Sequence, residues 1–302
     1  MSTILFRADA SSTLGTGHIM RDLVLAKRIH QEHPKATIIF ATLPLPGNLD
    51  EMIKQSGFEH ISLKSHETKE LVKIIKKKKI DLLVVDHYGI NCKKEKKIKQ
   101  KTAVKILAFD DTYEKHHCDI LLNHNINAKK KKYKNLVPKN CKRLCGKKYT
   151  LLRDEFYQEK QKNYKHKKNK RSVFIAMGGA DHANLNIKIL KVLQKFPNLK
   201  VNLVTTHSNK YLDKLKKYTK HKKNITLHIN ATNIAKLMAQ SDLAIVTPSV
   251  VVNEVIFMNL PFIAIKTAEN QHFTYHYLQK KHYNALPKFH SNTLKLYIEE
   301  IL

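Results

Sequence analysis

Short apolar runs recur along the whole chain, and segments with helical periodicity lie between them. The first half contains five such runs, at 3–10, 36–41, 81–86, 104–110 and 119–123. The second half contains five more, at 172–177, 200–205, 225–229, 243–247 and 262–266. Runs of this length that alternate with helical segments indicate parallel βαβ units. The pattern therefore predicts an α/β fold.

A charged segment divides the chain into two halves. Residues 158–170 are nearly devoid of aliphatic side chains, which predicts a linker between an N-terminal domain, 1–157, and a C-terminal domain, 171–302. Each half opens with a strand, a glycine-containing turn and a helix. We therefore expect two Rossmann-like, doubly wound domains that face each other across a cleft, where small ligands usually bind.

The first of these turns carries the most informative local pattern. Gly15 and Gly17 follow the first predicted strand, and His18 and Arg21 lie at the start of the next helix. Free backbone N–H groups converge at such a helix start, where an anionic ligand or a reacting centre would lie. Met20 stands where a dinucleotide-binding fingerprint has its third glycine, so NAD binding is disfavoured. The alternative is a tight turn with an incidental histidine.

Polar residues also follow other predicted strands. Tyr88 precedes a glycine that lets backbone approach closely, and Asp110 with Asp111 follows the next strand, where both could equally cap the following segment. In the second half, the candidate binding residues are Gly178, Gly179, Ser249, Asn253, Glu254 and Gln271. The two glycine amides suit a phosphate, and the glutamate could accept both hydrogen bonds of a ribose diol.

The net charge of +31 suggests an alternative to a small-ligand site, namely a nucleic-acid-binding protein. Only six of the 56 basic residues are arginine, however, whereas base reading and bidentate phosphate contacts favour arginine. The lysines lie in scattered runs typical of a solvated surface, and tryptophan is absent. A nucleic-acid partner is therefore not expected.

The remaining composition points to a cytoplasmic protein. The four cysteines fit reduced thiols, and no metal site is expected because Cys141 and Cys145 have no second pair to complete one. No apolar run approaches the length of a membrane span, and the chain begins directly with a predicted strand. We also expect a monomer.

Eight segments together resemble a known family. They lie at 15–27, 86–90, 104–111, 116–123, 151–159, 177–181, 233–238 and 252–254. Over residues 4–283 the chain is similar to the UDP-sugar hydrolases of pseudaminic acid biosynthesis, which are relatives of GT-B glycosyltransferases such as the MurG N-acetylglucosaminyltransferase. The tail, 290–302, lies beyond these segments, and its role stays open.

The resemblance implies a GT-B fold, a reaction and roles for individual residues. The reaction is cleavage of UDP-2,4-diacetamido-2,4,6-trideoxy-β-L-altropyranose by water, with inversion at the anomeric carbon and without a metal or other cofactor. His18 would be the catalytic histidine and Tyr88 a contact to the sugar. Asn253 and Glu254 would lie near the diphosphate and the ribose, and the backbone at Ile234 near the uracil.

Such a reaction needs a base for water but no general acid, because UDP is already a good leaving group. His18 suits this role, since the positive end of a helix disfavours a charged imidazole. Asp9 or Asp86 would fix its tautomer, and Arg21 with the amides of 178–179 would offset the charge that develops on phosphate. The alternative is a GT-B glycosyltransferase that uses a UDP-sugar donor, which needs a similar base.

Overall fold

Each half of the chain is organised by a parallel β-sheet. The computed structural model describes residues 2–162, 164, 171–196 and 198–302. The chain divides into two compact units, Met1–Leu151 and Leu152–Leu302. One sheet has seven strands and the other has six, which confirms the predicted α/β fold with two doubly wound sheets.

The sheet of the first unit has the strand order β3-β2-β1-β4-β5-β6-β7, and its pairings are parallel. From β1 the chain winds to one edge, returns to the centre at β4 and continues to the other edge. The strands are β1 (Thr3–Ala8), β2 (Thr37–Thr42), β3 (Glu59–Ser62), β4 (Leu82–Asp86), β5 (Lys105–Phe109), β6 (Ile120–Asn123) and β7 (Lys142–Cys145).

Helices cover both faces of this sheet. They are α1 (Gly17–Glu32), α2 (Asp50–Gln55), α3 (Thr68–Lys78) and α4 (Cys92–Thr102), with 3-10 turns at Lys130–Tyr133 and Lys147–Tyr149. Successive side chains of a strand point to opposite faces, and the neighbours Leu5 and Phe6 accordingly belong to two separate buried clusters. Burial on both faces explains why the strands are continuous apolar runs in the sequence.

The sheet of the second unit has the order β10-β9-β8-β11-β12-β13, again with parallel pairings. Its strands are β8 (Ser172–Ala176), β9 (Lys200–Thr205), β10 (Ile225–Ile229), β11 (Leu243–Val246), β12 (Phe262–Ile265) and β13 (Asn284–Leu286). Its helices are α5 (Asp154–Lys160), α6 (Asn186–Leu193), α7 (Leu212–Thr219), α8 (Ile234–Ala239), α9 (Val250–Phe257), α10 (His272–Lys280) and α11 (Ser291–Ile301), with a 3-10 turn at Glu269–Gln271.

The boundary between the units differs from the predicted one. The sequence assigns 1–157 to the N-terminal domain, whereas the second unit begins at Leu152. Helix α5 belongs to this second unit because it packs against α8, with Phe156 fully buried. Of the predicted linker at 158–170, residues 163 and 165–170 lie outside the described part of the chain.

The tail whose role the sequence left open is a core helix of the second unit. Helix α11 packs against α6, and its Leu294 and Ile298 are fully buried in the same cluster as β8 and β11 residues. The four cysteines are free thiols, as expected, with the Sγ atoms of Cys118 and Cys141 3.7 Å apart. None of the helices formed by described residues is both long and apolar enough to cross a membrane.

One buried histidine in the loop between β5 and β6 is held by two carboxylates. His116 Nδ1 lies 2.7 Å from Glu95 Oε1, and His116 Nε2 lies 3.9 Å from Asp110 Oδ1. Burial disfavours the charged ring, but the carboxylates of Asp110 and Glu95 outweigh burial and raise the pKa of His116 to about 9. The imidazolium therefore stabilises this loop at neutral pH.

We expect His116 to make the stability of the protein fall as the pH rises from about 6.5 to about 9. A pKa raised on folding gives stability that is complete below the unfolded-state pKa of 6.5 and is lost as the pH passes the folded-state pKa. The loss is at most about 3–4 kcal/mol, since the pKa rises from 6.5 to about 9 and one pKa unit corresponds to about 1.4 kcal/mol. The measurement is the free energy of unfolding in urea at several pH values. His116→Gln should remove this slope and the exposed control His33→Gln should keep it; an unchanged slope in His116→Gln would contradict the assignment.

Candidate active site

The candidate site of the first unit lies at the C-terminal edge of its sheet, where β1, β4 and β5 end. After β1, the chain makes a tight turn in which Gly15 adopts a φ of 82°, and α1 then begins at Gly17. The second residue of this helix is His18, whose side chain is 23 % exposed. Because the carboxyl ends of parallel strands meet at one edge, residues after β4 and β5 come close to this helix start.

The tautomer of His18 is fixed by its contacts with Asp86, the last residue of β4. His18 Nδ1 lies 3.0 Å from the backbone carbonyl oxygen of Asp86 and 3.3 Å from its Oδ1. A carbonyl oxygen only accepts, so Nδ1 carries the ring proton and Nε2 keeps its lone pair. Of the two carboxylates expected to orient this ring, the structure selects Asp86, whereas Asp9 contacts Arg7 and His87. The arrangement can serve a general base.

Arg21 lies behind His18, one turn further along α1. Its Nε and Nη2 donate to the two carboxylate oxygens of Asp86 at 2.6 and 2.5 Å, and its Nη1 lies 3.4 Å from Asp111 Oδ2. Burial alone would raise the pKa of Asp86, but the charge of Arg21 outweighs burial and lowers it to about 2. The guanidinium is 5 % exposed, so the structure favours holding carboxylates over the expected contact with phosphate.

Two further buried groups, Asp22 and His124, lie within the electrostatic influence of Asp86 and Arg21. Burial, and after it the negative charge of Asp86, raise the pKa of Asp22 well above its usual range. Burial, and after it the positive charge of Arg21, lower the pKa of His124 to about 3. Arg21 Nη1 donates to His124 Nε2 at 3.5 Å. Burial thus disfavours the charged form of both groups.

Tyr88 lies two residues after β4 and contacts both Asp111 and His18. Its hydroxyl donates to Asp111 Oδ1 at 3.0 Å, and its ring meets the ring of His18 edge-on with centroids 5.2 Å apart. The side chain is 55 % exposed. The structure thus brings three of the predicted residues, His18, Arg21 and Tyr88, into one connected group, with Gly17 directly before them.

One group of imidazole and carboxylate side chains among the described residues is close enough to hold a metal. Ligand atoms of Asp9, His66 and His87 lie within 4.8 Å of one another. The backbone N–H of Gly89 donates to His87 Nδ1 at 2.9 Å, so Nε2 carries the proton and donates to Asp9 Oδ2 at 3.1 Å. Arg7 also binds both oxygens of Asp9, at 2.6 and 2.8 Å. The lone pairs of His87 Nδ1 and of the Asp9 carboxylate are thus engaged in hydrogen bonds. The group therefore suits stabilisation of the turn at Tyr88 better than metal binding.

The predicted glycine turn of the second unit follows β8. Gly178 has a φ of 79°, and a Cβ on Gly179 would lie 2.6 Å from Thr206 Cγ2, so both positions need glycine. Asp181 accepts from the backbone N–H groups of Leu185 at 2.9 Å and of the next residue at 3.0 Å. The start of α6 is thus capped by a side chain of this turn.

The predicted glutamate of the second unit is bound to an arginine. Arg153 Nη2 donates to Glu254 Oε1 at 3.3 Å, and Arg153 Nη1 lies 2.7 Å from Glu155 Oε1. Burial raises the pKa of Glu254, and the charge of Arg153 opposes this shift. Asn253, the neighbour of Glu254 on α9, is 3 % exposed.

The remaining predicted residues also follow strands of the second sheet. Ser249 precedes α9 after β11, with its Oγ 3.0 Å from Thr247 Oγ1. Ile234 is the first residue of α8 after β10. Gln271 ends the 3-10 turn after β12, and its Oε1 accepts from the backbone N–H of Thr267 at 2.8 Å.

Two residues of this arrangement have no role in the sequence-based assignment. Arg153 holds Glu254, and Asp111 contacts both Arg21 and Tyr88. A signal existed for Arg153, because few arginines occur in this lysine-rich chain and Arg153, like Arg21, stands in a segment of the family resemblance. No signal separates Asp111 from Asp110, since both follow the same strand.

No family model matches the chain. Two solved structures resemble its fold over almost its whole length. MurG of Acinetobacter baumannii has 12% sequence identity and a TM-score of 0.64, with 99% of this chain and 90% of that chain covered. A spinosyn rhamnosyltransferase has 10% identity and a TM-score of 0.70, with 100% of this chain and 91% of that chain covered. The two Rossmann-like units are those of the GT-B fold.

A curated relative identifies the family within this fold. The UDP-2,4-diacetamido-2,4,6-trideoxy-beta-L-altropyranose hydrolase of Campylobacter jejuni is 44% identical over 286 residues, which are 95% of this chain and 99% of that protein. The chain belongs to the family of this hydrolase. The resemblance found in the sequence segments is thereby confirmed.

Proposed function

We propose that this protein hydrolyses UDP-2,4-diacetamido-2,4,6-trideoxy-β-L-altropyranose to the free sugar and UDP, a step of pseudaminic acid biosynthesis. Its relative of 44% identity over almost its full length carries the name of this activity. The observation that carries the proposal in the structure is the contact of His18 Nδ1 with the Asp86 carbonyl oxygen at 3.0 Å. This contact leaves His18 Nε2 as a proton acceptor at a partly exposed edge of the first unit.

In the proposed mechanism, His18 acts on water. Nε2 accepts a proton from a water molecule while the water oxygen bonds to the anomeric carbon. The bond from this carbon to the diphosphate oxygen breaks, and its electron pair leaves with UDP. Attack opposite the leaving group inverts the configuration at the anomeric carbon. The negative charge of Asp86 beside Nδ1 stabilises the imidazolium that forms. That no metal or cofactor takes part stays a prediction.

We assign the UDP part of the substrate to residues of the second unit. Glu254 suits the ribose hydroxyls, because Arg153 donates to its Oε1 and its other oxygen, Oε2, can accept from the ribose. The amides of 178–179 and the polar residues Asn253 and Ser249 suit the diphosphate. The backbone at Ile234 suits the uracil, and Gln271 is a further contact. Each of these roles is a proposal that rests on the family and on placement after a parallel strand.

The reaction is tested with the UDP-sugar alone. Without any acceptor, a proton NMR time course should show UDP and free sugar appearing in equal amounts, with the inverted anomer first. The alternative, a glycosyltransferase, would release UDP only when an acceptor hydroxyl is supplied. Lack of turnover without an acceptor would overturn the proposal, and release of UDP once an acceptor is supplied would favour that alternative.

For UDP binding, we expect Glu254→Ala to raise the Kd of UDP by about 10- to 100-fold, the cost of losing hydrogen bonds to a charged group. Isothermal titration calorimetry with UDP measures the change. Glu269→Ala is the matched control, because that glutamate also follows a strand of the second sheet but is 92% exposed and forms a surface ion pair with Lys266. Equal affinities of wild type and Glu254→Ala would remove Glu254 from the UDP site.

We further infer a cytoplasmic monomer that does not bind nucleic acid. Free thiols at all four cysteines suit a reducing compartment. The scarcity of arginine argues against specific nucleic-acid contacts. Light scattering tests the oligomeric state, and oligonucleotide binding over a range of salt concentrations tests the second statement.

A further inference from the structure

Five side chains of the first unit form a closed ring of contacts. His18 Nδ1 lies 3.3 Å from Asp86 Oδ1, and both carboxylate oxygens of Asp86 accept from Arg21. Arg21 also donates to Asp111, which accepts from the hydroxyl of Tyr88. The ring closes where the aromatic rings of Tyr88 and His18 meet edge-on. Within this ring, only Asp111 contacts both the buried arginine and the exposed phenol.

We propose that Asp111 is a positioning residue that couples Tyr88 to His18. This inference rests on the proposed hydrolase function, because it assigns Asp111 an effect on that reaction. Asp111 does not touch the reacting atoms in this scheme. It acts by holding the Tyr88 hydroxyl at 3.0 Å and by its ion pair with Arg21 at 3.4 Å.

The contacts of the neighbouring Asp110 differ from those of Asp111, so the positioning role is not shared by every carboxylate after β5. Asp110 accepts from the backbone N–H groups of Thr112 at 3.1 Å and Tyr113 at 2.8 Å, and from the hydroxyl of Tyr133 at 2.5 Å. These are the contacts of a turn cap and of a buried structural acceptor. Asp111 instead contacts residues 90 and 23 positions away in the sequence.

An exposed tyrosine needs such a partner if it is to present one orientation to a substrate. Tyr88 is 55 % exposed, so packing restricts its ring little. The carboxylate of Asp111 is only 18 % exposed, and Arg21 fixes it from the buried side. A hydrogen bond from Tyr88 to this anchored acceptor, together with the edge contact to His18, therefore defines the position of the phenol relative to the base.

The charge of Asp111 has a second effect. Arg21 carries one positive charge against the two negative charges of Asp86 and Asp111, so the charged members of the ring sum to one negative charge. When His18 accepts a proton, the ring becomes neutral. Asp111 thus offsets part of the positive charge of Arg21 near the place where His18 gains positive charge during the reaction, without touching His18.

A double-mutant cycle of Asp111→Ala and Tyr88→Phe tests the coupling. We expect each single variant to lower kcat by roughly 10- to 100-fold, since a misplaced group in the site has an effect of this size. The double variant should lose little more than the worse single variant, because both remove the same contact. KM and the Kd of UDP should change by no more than about threefold, since the loss is confined to the chemical step.

Two further variants separate positioning from folding. Asp111→Asn keeps an oxygen that accepts from Tyr88 but lacks the charge, so its kcat should fall between those of wild type and Asp111→Ala. Asp110→Asn is the matched control, in which the melting temperature should fall while kcat stays near that of wild type. A wild-type kcat in Asp111→Ala, or losses that multiply in the double variant, would overturn the coupling. Hydrolysis by the wild type is read separately, so a failed cycle with an active wild type refutes only the role of Asp111.

Discussion

Replacing His18 by alanine is expected to lower kcat by at least about 100- to 10,000-fold, the contribution of a positioned general base. The Nδ1 contact with Asp86 at 3.0 Å commits the ring to the tautomer whose Nε2 accepts a proton, and alanine offers no acceptor there. The Kd of UDP should stay within about twofold, because the proposed UDP contacts are residues of the second unit. Single-turnover kinetics with the UDP-sugar and calorimetry with UDP measure the two quantities.

The residue that follows this helix supplies the control for this prediction. His33 directly follows α1, is exposed, and its replacement by alanine should leave kcat unchanged. Free imidazole added to the His18→Ala variant should restore part of the rate if the missing group is a proton acceptor. Normal turnover by His18→Ala would remove this histidine from the mechanism, and a large loss of UDP affinity would instead make it a binding residue.

The fold could be predicted from the sequence wherever strands are buried on both faces. The ten predicted strands are all present, with ends that differ by at most two residues. The three that the pattern missed are β3, β7 and β13, and each is the last strand at an edge of its sheet. They have three or four residues and include polar or partly exposed positions, as in Lys142–Cys145. An edge strand covers less core, so its sequence carries a weaker apolar signal.

The sequence predicts which strand ends form the site, but not which of its side chains contact each other. Topology places residues after β1, β4 and β5 at one edge of the sheet, which suffices to propose His18 and Tyr88. The choice of Asp86 over Asp9 depends on side-chain geometry between residues 68 positions apart. The sequence predicts a phosphate contact for Arg21 because it places this residue near the start of α1. The sequence does not show that the side chain of Arg21 is buried. Only packing decides that its donors face two carboxylates.

Arg21→Met is expected to destabilise the first unit by about 3–5 kcal/mol, the usual effect of removing one partner from a buried ion pair. Methionine fills a similar volume but leaves Asp86, which is 2 % exposed, without its cation. With Arg21 present, the pKa of Asp86 is lowered to about 2, so its stabilising effect is complete above the unfolded-state value of 3.8 and is lost as the pH falls towards 2. Without Arg21, burial would raise this pKa, and the carboxylate would favour the folded state only when protonated. Urea denaturation at pH 7 and at pH 4 should therefore show a smaller difference between wild type and variant at the lower pH.

Arg28, about two turns further along α1 than Arg21, gives the matched control for this charge effect. Arg28 donates to the backbone carbonyl of Thr150 at 3.3 Å and is partly exposed. Arg28→Met should therefore cost about 1 kcal/mol or less, with no difference between the two pH values. A loss of similar size in both variants, or a loss in Arg21→Met that does not depend on pH, would show that side-chain packing rather than the charge of Asp86 determines the stability. The expected result would show that the ion pair of Arg21 and Asp86, which holds His18, stabilises the fold through its charges. The same charges act on the proposed base.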